Sequence, residues 1–232
     1  MSEPDELAAI RERYSRRAAM PADRYSRFNP EVLARVHERQ RTMIALLAMQ
    51  GIRSLEGLDV IEVGCGNGGN LLEFLEFGAE PQRLVGNELL ADRVDHARRL
   101  LPEAVRLFPG DASTLPFGEG SFDIVYQSTV FSSILDDELQ AEVAAAMWRW
   151  VRPGGGVLWY DFTFDNPFNR DVRGVPLTRI RGLFPGARIS ARRVTLAPPI
   201  SRRVARVHPA LYGVFNSMPL LRTHLLCWIQ KT

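Results

Sequence analysis

Leu58-Asp59-Val60-Ile61-Glu62-Val63-Gly64-Cys65-Gly66-Asn67-Gly68-Gly69 decides how the rest of the chain is read. Leu58 to Val63 is a short apolar run with an acid near its end, the pattern of a buried parallel strand. Gly64, Gly66, Gly68 and Gly69 follow within six residues, and Leu71, Leu72, Phe74, Leu75 and Phe77 resume at helical spacing. Strand, glycine turn and helix make the opening unit of a nucleotide-binding α/β sheet. Residues without a Cβ let the chain turn tightly and let a ligand approach the backbone. Gly64, Gly66 and Gly69 also satisfy the G-x-G-x-x-G spacing of dinucleotide sites, so the glycines alone leave the ligand open.

Downstream, residues 83–88 read as a second strand ending in Glu88, 24 residues after Gly64. A carboxylate there can accept both hydroxyls of a ribose. Val105 to Phe108 reads as a third strand, closed by Gly110-Asp111-Ala112, and Ser121 to Gln127 as a fourth. Asp136 to Val151 has the spacing of an amphipathic helix, with Leu139, Val143, Met147 and Trp150 on one side. Asp136 and Asp137 suit its N-terminus, which favours acids without any metal. Arg152-Pro153-Gly154-Gly155-Gly156 then turns sharply into a fifth strand, Val157 to Phe162.

The pattern Glu62-x-Gly64-x-Gly66-x-Gly68 resembles the first motif of class I S-adenosylmethionine (SAM)-dependent methyltransferases. The later signals resemble that family in order: Glu88, Gly110-Asp111-Ala112, Phe122-Asp123-Ile124-Val125 and Val151-x-Pro153-Gly154-Gly155. The resemblance spans residues 55–165. It implies an α/β, Rossmann-like fold: a seven-stranded, mostly parallel sheet with helices on both faces and one antiparallel strand. SAM is the implied cofactor. Glu62 is expected near its ammonium, with Gly64, Gly66 and Gly68 beside the methionine part. Glu88 is expected on the ribose, and Asp111 and Ala112 at the adenine. Gln127, at the end of the fourth strand, is expected beside the transferred methyl, orienting the acceptor. A nicotinamide dehydrogenase has no reason to carry the Pro153-Gly154-Gly155 turn together with Gly110-Asp111-Ala112.

On either side of this core, residues 1–54 read as a helical leader and residues 166–232 as a substrate-side region of the same single domain. Asn29-Pro30 suits a helix start, with the helix running to about Gln50 and burying Val32, Val36, Met43, Leu46 and Leu47. Leaders of this kind fold over the cofactor in the family, which makes Tyr14, Arg24 and Tyr25 candidates for a lid. Pro176 to Phe184 reads as a short helix, with Ala187 to Leu196 and Thr223 to Ile229 as the last two strands. Residues 197–222 interrupt that hairpin without a strand pattern; they suit a substrate lid, a homodimer contact or a peripheral membrane patch. Asp161, at the end of the fifth strand, His208 and His224 are the candidate general bases for a hydroxyl acceptor.

Composition bounds the partners. The 232 residues carry a net charge of only +2, giving no global case for nucleic acid, and DNA is not expected as a partner. Residues 170–206, however, hold ten arginines and one acid, Asp171. That stretch is either a solvated basic face or a surface for anions. There is no Asn/Asp-Pro-Pro-aromatic stretch for methylating base amines and no Pro-Cys nucleophile for cytosine C5. Cys65 and Cys227 suggest neither a disulfide framework nor a metal site. No apolar run is long enough to span a bilayer, the N-terminus lacks a secretory pattern, and a cytoplasmic protein is expected. The expected activity is O-methylation of a small anionic, glycan- or lipid-linked acceptor. RNA methylation is the alternative enzymatic reading, and a non-catalytic SAM-binding or interaction module the non-enzymatic one.

Overall fold

The computed structural model describes residues 3–18, 26–166 and 169–232. Helices α1 (Glu3–Ala18) and α2 (Pro30–Met49) precede the first strand, β1 (Val60–Val63). Then come α3 (Gly69–Glu76), β2 (Leu84–Glu88), α4 (Ala91–Leu100), β3 (Arg106–Pro109), β4 (Phe122–Ser128), α5 (Asp137–Trp150) and β5 (Val151–Phe162). The chain ends with α6 (Leu177–Leu183), β6 (Arg188–Leu196), α7 (Pro198–Val207), α8 (Ala210–Asn216) and β7 (Arg222–Gln230).

The seven strands form one sheet in the order β3-β2-β1-β4-β5-β7-β6. All pairings are parallel except those of β7, which runs antiparallel to both β5 and β6. The strand order reverses between β1 and β4, so two crossovers leave in opposite directions there and open a crevice beyond the carboxyl ends.

The twofold alternation of strand side chains divides the core between the faces. Ile61, Val125, Val157, Trp159 and Ile229 pack under α5 through Val143, Met147 and Trp150. Val60, Ile124, Tyr126, Leu158 and Trp228 pack on the other face with Met43 and Leu46 of α2 and Phe74 of α3. Asp136 caps α5, its Oδ1 accepting from the Glu138 and Leu139 amides at 3.0 and 2.8 Å. Asp137 pairs with Arg173 and Arg179.

Three stretches differ from the sequence expectation by more than one residue. The first strand starts at Val60 because Asp59 is held by Arg83 and Arg152, at 3.1 Å each. The fifth starts at Val151, not Val157: it pairs Phe122 with Val151, then shifts register through the Arg152–Gly155 stretch before Ile124 meets Gly156. Residues 197–222, which showed no strand pattern, contain α7 and α8. Arg24 and Tyr25 lie outside the described residues.

The glycine turn is fixed by space as well as by backbone angle. Gly64 has φ +67°, and a Cβ there would stand 2.4 Å from Cγ2 of Val130, a short branched side chain. Gly68, at φ +85°, is closed off by Leu101 and Ala97 of the following β-α unit. Gly154 has a similar φ, +83°, but no neighbour within 4 Å. Gly64→Ala is therefore expected to cost about 2–5 kcal/mol, combining left-handed strain with overpacking. Gly154→Ala is expected to cost about 1–2 kcal/mol. Thermal melts compare them, at roughly 2–4 °C per kcal/mol for a chain of this size; equal losses would refute the steric account of Gly64.

Candidate active site

A cavity of about 1430 Å³ follows the carboxyl ends of the strands across the switch point. It is larger than the roughly 300–1,000 Å³ of a pocket for one drug-sized ligand. Gly64, Gly66, Glu88, Asp111 and Ala112 line it on the β1, β2 and β3 side. Tyr160, Phe162 and His224 line it on the β5 and β7 side, with Leu196 and Tyr212 beyond them. Helices α1 and α2 contribute Tyr14, Arg35 and Arg39.

The β2 side is held by carboxylates accepting from backbone. Glu88 Oε2 accepts from the Gly66 amide at 2.9 Å and Oε1 from the Leu90 amide at 3.0 Å. Each oxygen keeps further acceptor capacity. Asp111 accepts from Ser113 through both oxygens, with its Oδ1 2.9 Å from the amide. Asn87 donates to the carbonyls of Phe108 and Gly110, pinning the turn that carries Asp111.

Glu62 stands behind the turn, completely buried, and points to the α2–α3 face. Asn70 Nδ2 donates to its Oε1 at 2.5 Å, and its Oε2 has no partner among the described residues. Burial pushes its pKa up to about 8, against the pull of Asn70 and Arg39. Gly66 has open space where a Cβ would stand, whereas Gly68 faces α4 and does not line the cavity. Cys65 lines the cavity too, but burial holds its thiol well above the ordinary range, so it is no nucleophile at neutral pH.

Tyr14 lines the cavity from the leader, its hydroxyl donating to Ser133 Oγ at 3.2 Å and its ring lying 4.4 Å from the Arg93 guanidinium. The chain leaves β4 through Thr129, a non-glycine residue at φ +58°. The Thr129 amide donates to the Tyr160 carbonyl at 2.8 Å and its hydroxyl to the Ser128 carbonyl at 2.7 Å.

Besides Glu62 and Gly68, which were expected beside the cofactor and do not line the cavity, three sequence expectations need correction. Gln127 is fully buried and does not line the cavity. Its Oε1 accepts from the Val130 amide at 3.0 Å and its Nε2 donates to the Tyr160 carbonyl, so it fastens the turn after β4 to β5. Asp161 also points away from the cavity. It is completely buried and accepts from the amides of Ser132 and Phe162 at 3.1 and 2.9 Å; burial, opposed by those bonds, pushes it up to about 7. A general base must first reach its proton, and Asp161 does not. His208 is exposed at the start of α8, where its Nδ1 accepts from the Ala210 amide.

His224 does line the cavity, stacked on Tyr160 with ring centroids 5.0 Å apart. Burial first, and the nearby Arg35 charge second, lower its pKa to about 3. It stays neutral and is a weak base.

Other residues at the site were missed. Arg39 pairs with the buried Glu73 at 2.8 Å and lies 5.5 Å from the Tyr160 ring centroid. Glu38, buried on α2, accepts from the Thr195 amide at 3.1 Å and the Tyr212 hydroxyl at 2.8 Å. The apolar spacing of α2 masked these charges. The neighbouring Arg35-Val36-His37-Glu38-Arg39 cluster beside the buried Val32 and Met43 was the available signal.

Residues 60–155 match the family model described as "Methyltransferase domain". A tRNA N(3)-methylcytidine methyltransferase of Drosophila melanogaster is 30% identical over 116 residues, 47% of this chain and 35% of that protein. A fatty-acid O-methyltransferase of Mycolicibacterium smegmatis is 38% identical over 111 residues, 46% of this chain and 38% of that protein. The matched stretch thus spans about a third of the length of such curated relatives. Among solved structures, the 1,6-didemethyltoxoflavin-N1-methyltransferase of Burkholderia thailandensis, with S-adenosylhomocysteine bound, has a TM-score of 0.63 at 18% identity. It covers all of this chain (100%) and 92% of its own, a likeness of fold.

Glu62 generates a stability prediction. Folded, it keeps its proton to about pH 8; unfolded, it ionises above about 4.5. The stability this proton contributes is complete below pH 4.5 and lost as pH rises through 8. Asp161 acts in the same direction between 3.8 and about 7. The melting temperature is expected to fall over this range. Glu62→Gln, which keeps an acceptor for Asn70, is expected to make the fall shallower; an unaltered slope would remove Glu62 as its source.

Proposed function

We propose that this chain, whose residues 60–155 match a methyltransferase-domain model, is a class I SAM-dependent methyltransferase that binds SAM along the β1–β3 side of the cavity and methylates a small-molecule acceptor on the β5–β7 side. The single continuous cavity, with carboxylates on one side and stacked aromatic rings on the other, carries this reading. The residues present suit SAM. Glu88 offers acceptor capacity to a ribose, Asp111 to an exocyclic amine, and Gly66 leaves open space.

When bound, SAM supplies an electrophilic methyl group on a sulfonium. This chain's contribution is to hold and align the acceptor and to exclude water, and well-oriented reactants gain roughly 7–11 kcal/mol from proximity. Helix α1 covers the site. Its Arg13 pairs with Glu6 at 2.7 Å while donating to the Ser133 carbonyl, and its Arg16 reaches Asp171 across the cavity at 2.8 Å. Tyr160, Phe162 and His224 give the acceptor an aromatic floor, and Leu196, Pro198 and Tyr212 add further wall. This favours a partly apolar molecule methylated on oxygen, and the similarity to a fatty-acid O-methyltransferase supports it.

The arginine-rich stretch lends little support to an RNA acceptor. Arg173 and Arg179 are engaged by Asp137, Arg193 lies over Phe164, and Arg202 lines the cavity. Arg192 and Arg193 are neighbours on edge strand β6 and so point to opposite sheet faces. Charges on an edge strand also guard against edge-to-edge pairing.

Calorimetry tests the reading. SAM and S-adenosylhomocysteine are expected to bind, NAD is not, and Glu88→Ala is expected to weaken both ligands about tenfold to a hundredfold through lost charge-assisted hydrogen bonds. A melt of the variant separates lost binding from lost fold. Binding of NAD in place of SAM would overturn the proposal.

A further inference from the structure

Among the described residues, Arg35 is a cavity-lining cation without a paired carboxylate. It is half-buried on α2, and no carboxylate oxygen of a described residue lies within 4.0 Å of it. The other cations of the cavity differ. Arg16 is paired with Asp171 and Arg39 with Glu73, Arg93 lies against the Tyr14 ring, and Arg202 is exposed on α7. Arg35 lines the same cavity as Tyr160 and His224, the aromatic floor of the acceptor side, and its charge acts on both. A half-buried guanidinium facing a cavity is stabilised by an anion that enters it, and its planar fork matches a carboxylate.

The same region is poor in proton acceptors. Burial and the Arg35 charge hold His224 neutral down to about pH 3. Asp161 is outside the cavity, and the Tyr160 hydroxyl is bonded to Thr195 at 2.8 Å. Of the cavity carboxylates, Glu88 and Asp111 belong to the β2–β3 side, Asp171 is paired with Arg16, and Asp165 accepts from the Gly174 amide. Glu31 stands one turn before Arg35, at the start of α2. An alcohol would need to lose its proton during transfer. A carboxylate has already lost it at neutral pH.

We propose that the acceptor is a carboxylic acid with an apolar body, anchored through its carboxylate on Arg35 above Tyr160 and His224, and that the product is its methyl ester. This rests on the SAM-dependent reading above. A carboxylate oxygen uses a lone pair to form the new O–CH3 bond as the C–S bond of the sulfonium breaks, its electron pair passing to sulfur. The carboxylate loses its negative charge, the sulfonium becomes a neutral thioether, and no proton is transferred. The ester no longer pairs with Arg35, which favours its release.

The test uses the full chain, tritium-labelled SAM and three probes sharing one alkyl chain: dodecanoate, dodecyl phosphate and dodecan-1-ol. Label is expected only in the dodecanoate product, released as volatile methanol by mild base. Arg35→Gln is expected to raise the KM for dodecanoate about tenfold or more, with the SAM Kd from calorimetry unchanged. Arg35→Lys, which keeps the charge but not the fork, is expected to fall between them. Transfer to the alcohol or the phosphate in preference to dodecanoate would overturn the assignment, as would an unchanged KM in Arg35→Gln. SAM binding with no ester formed would overturn this inference alone; absence of SAM binding would overturn the proposed function as well.

Discussion

The bond from the Gly66 amide to the Glu88 carboxylate joins the two features on which the site depends. Gly64 and Gly66 turn the chain through left-handed angles immediately after β1, leaving backbone donors that no regular ladder satisfies. Glu88, at the end of the neighbouring strand, accepts one of them and also the Leu90 amide at the start of α4. One carboxylate thus sets the glycine turn, the end of β2 and the entry to the next helix. Asn87 beside it fixes the turn of β3 through two carbonyls. The strand ends hold their relative positions through side chains as well as through the sheet.

The opposite wall follows a different logic. Buried carboxylates there organise loops and helices, not a ligand. Asp161 holds the segment after β4, and Glu38 gathers the Thr195 amide, which sits at φ +67°, and the Tyr212 hydroxyl. Tyr160 joins that cluster through its bond to Thr195. A buried carboxylate is costly unless its oxygens find donors, and backbone amides are donors of fixed direction. The result is a rigid frame for the aromatic floor.

The parts of this arrangement readable from sequence are those whose physics is local. A glycine turn between an apolar run and a helical pattern states its own geometry, and Glu88 and Asp111 could be placed because each closes a strand. Facing was harder. Strand side chains alternate, so an error of one residue exchanges cavity for core. Tyr160 lines the cavity while Asp161 is turned away, and Ser128 lines it while Gln127 does not. Helix α2 was read by its apolar residues, which hid Glu38 and Arg39, because their burial depends on Thr195, Tyr212 and Glu73 far away in sequence. Residues 197–222 carried no alternation because they are helical and short, with prolines at the start of α7.

The Glu38 cluster also bears on how the chain is assembled during synthesis. Its acceptor comes from α2, near the start of the chain, while its donors lie 157 and 174 residues later. Domains made on the ribosome begin to fold from their N-terminal end. Strands β1 to β4 can therefore associate while β6 and α8 are still unmade, leaving Glu38 hydrated on an unfinished helix face. Only as the last quarter of the polypeptide emerges do its donors arrive and the wall beyond Tyr160 close. The half of the molecule with the glycine turn can exist before the half that frames the aromatic floor, and a nascent chain would meet the nucleotide end of its cavity before it had the other.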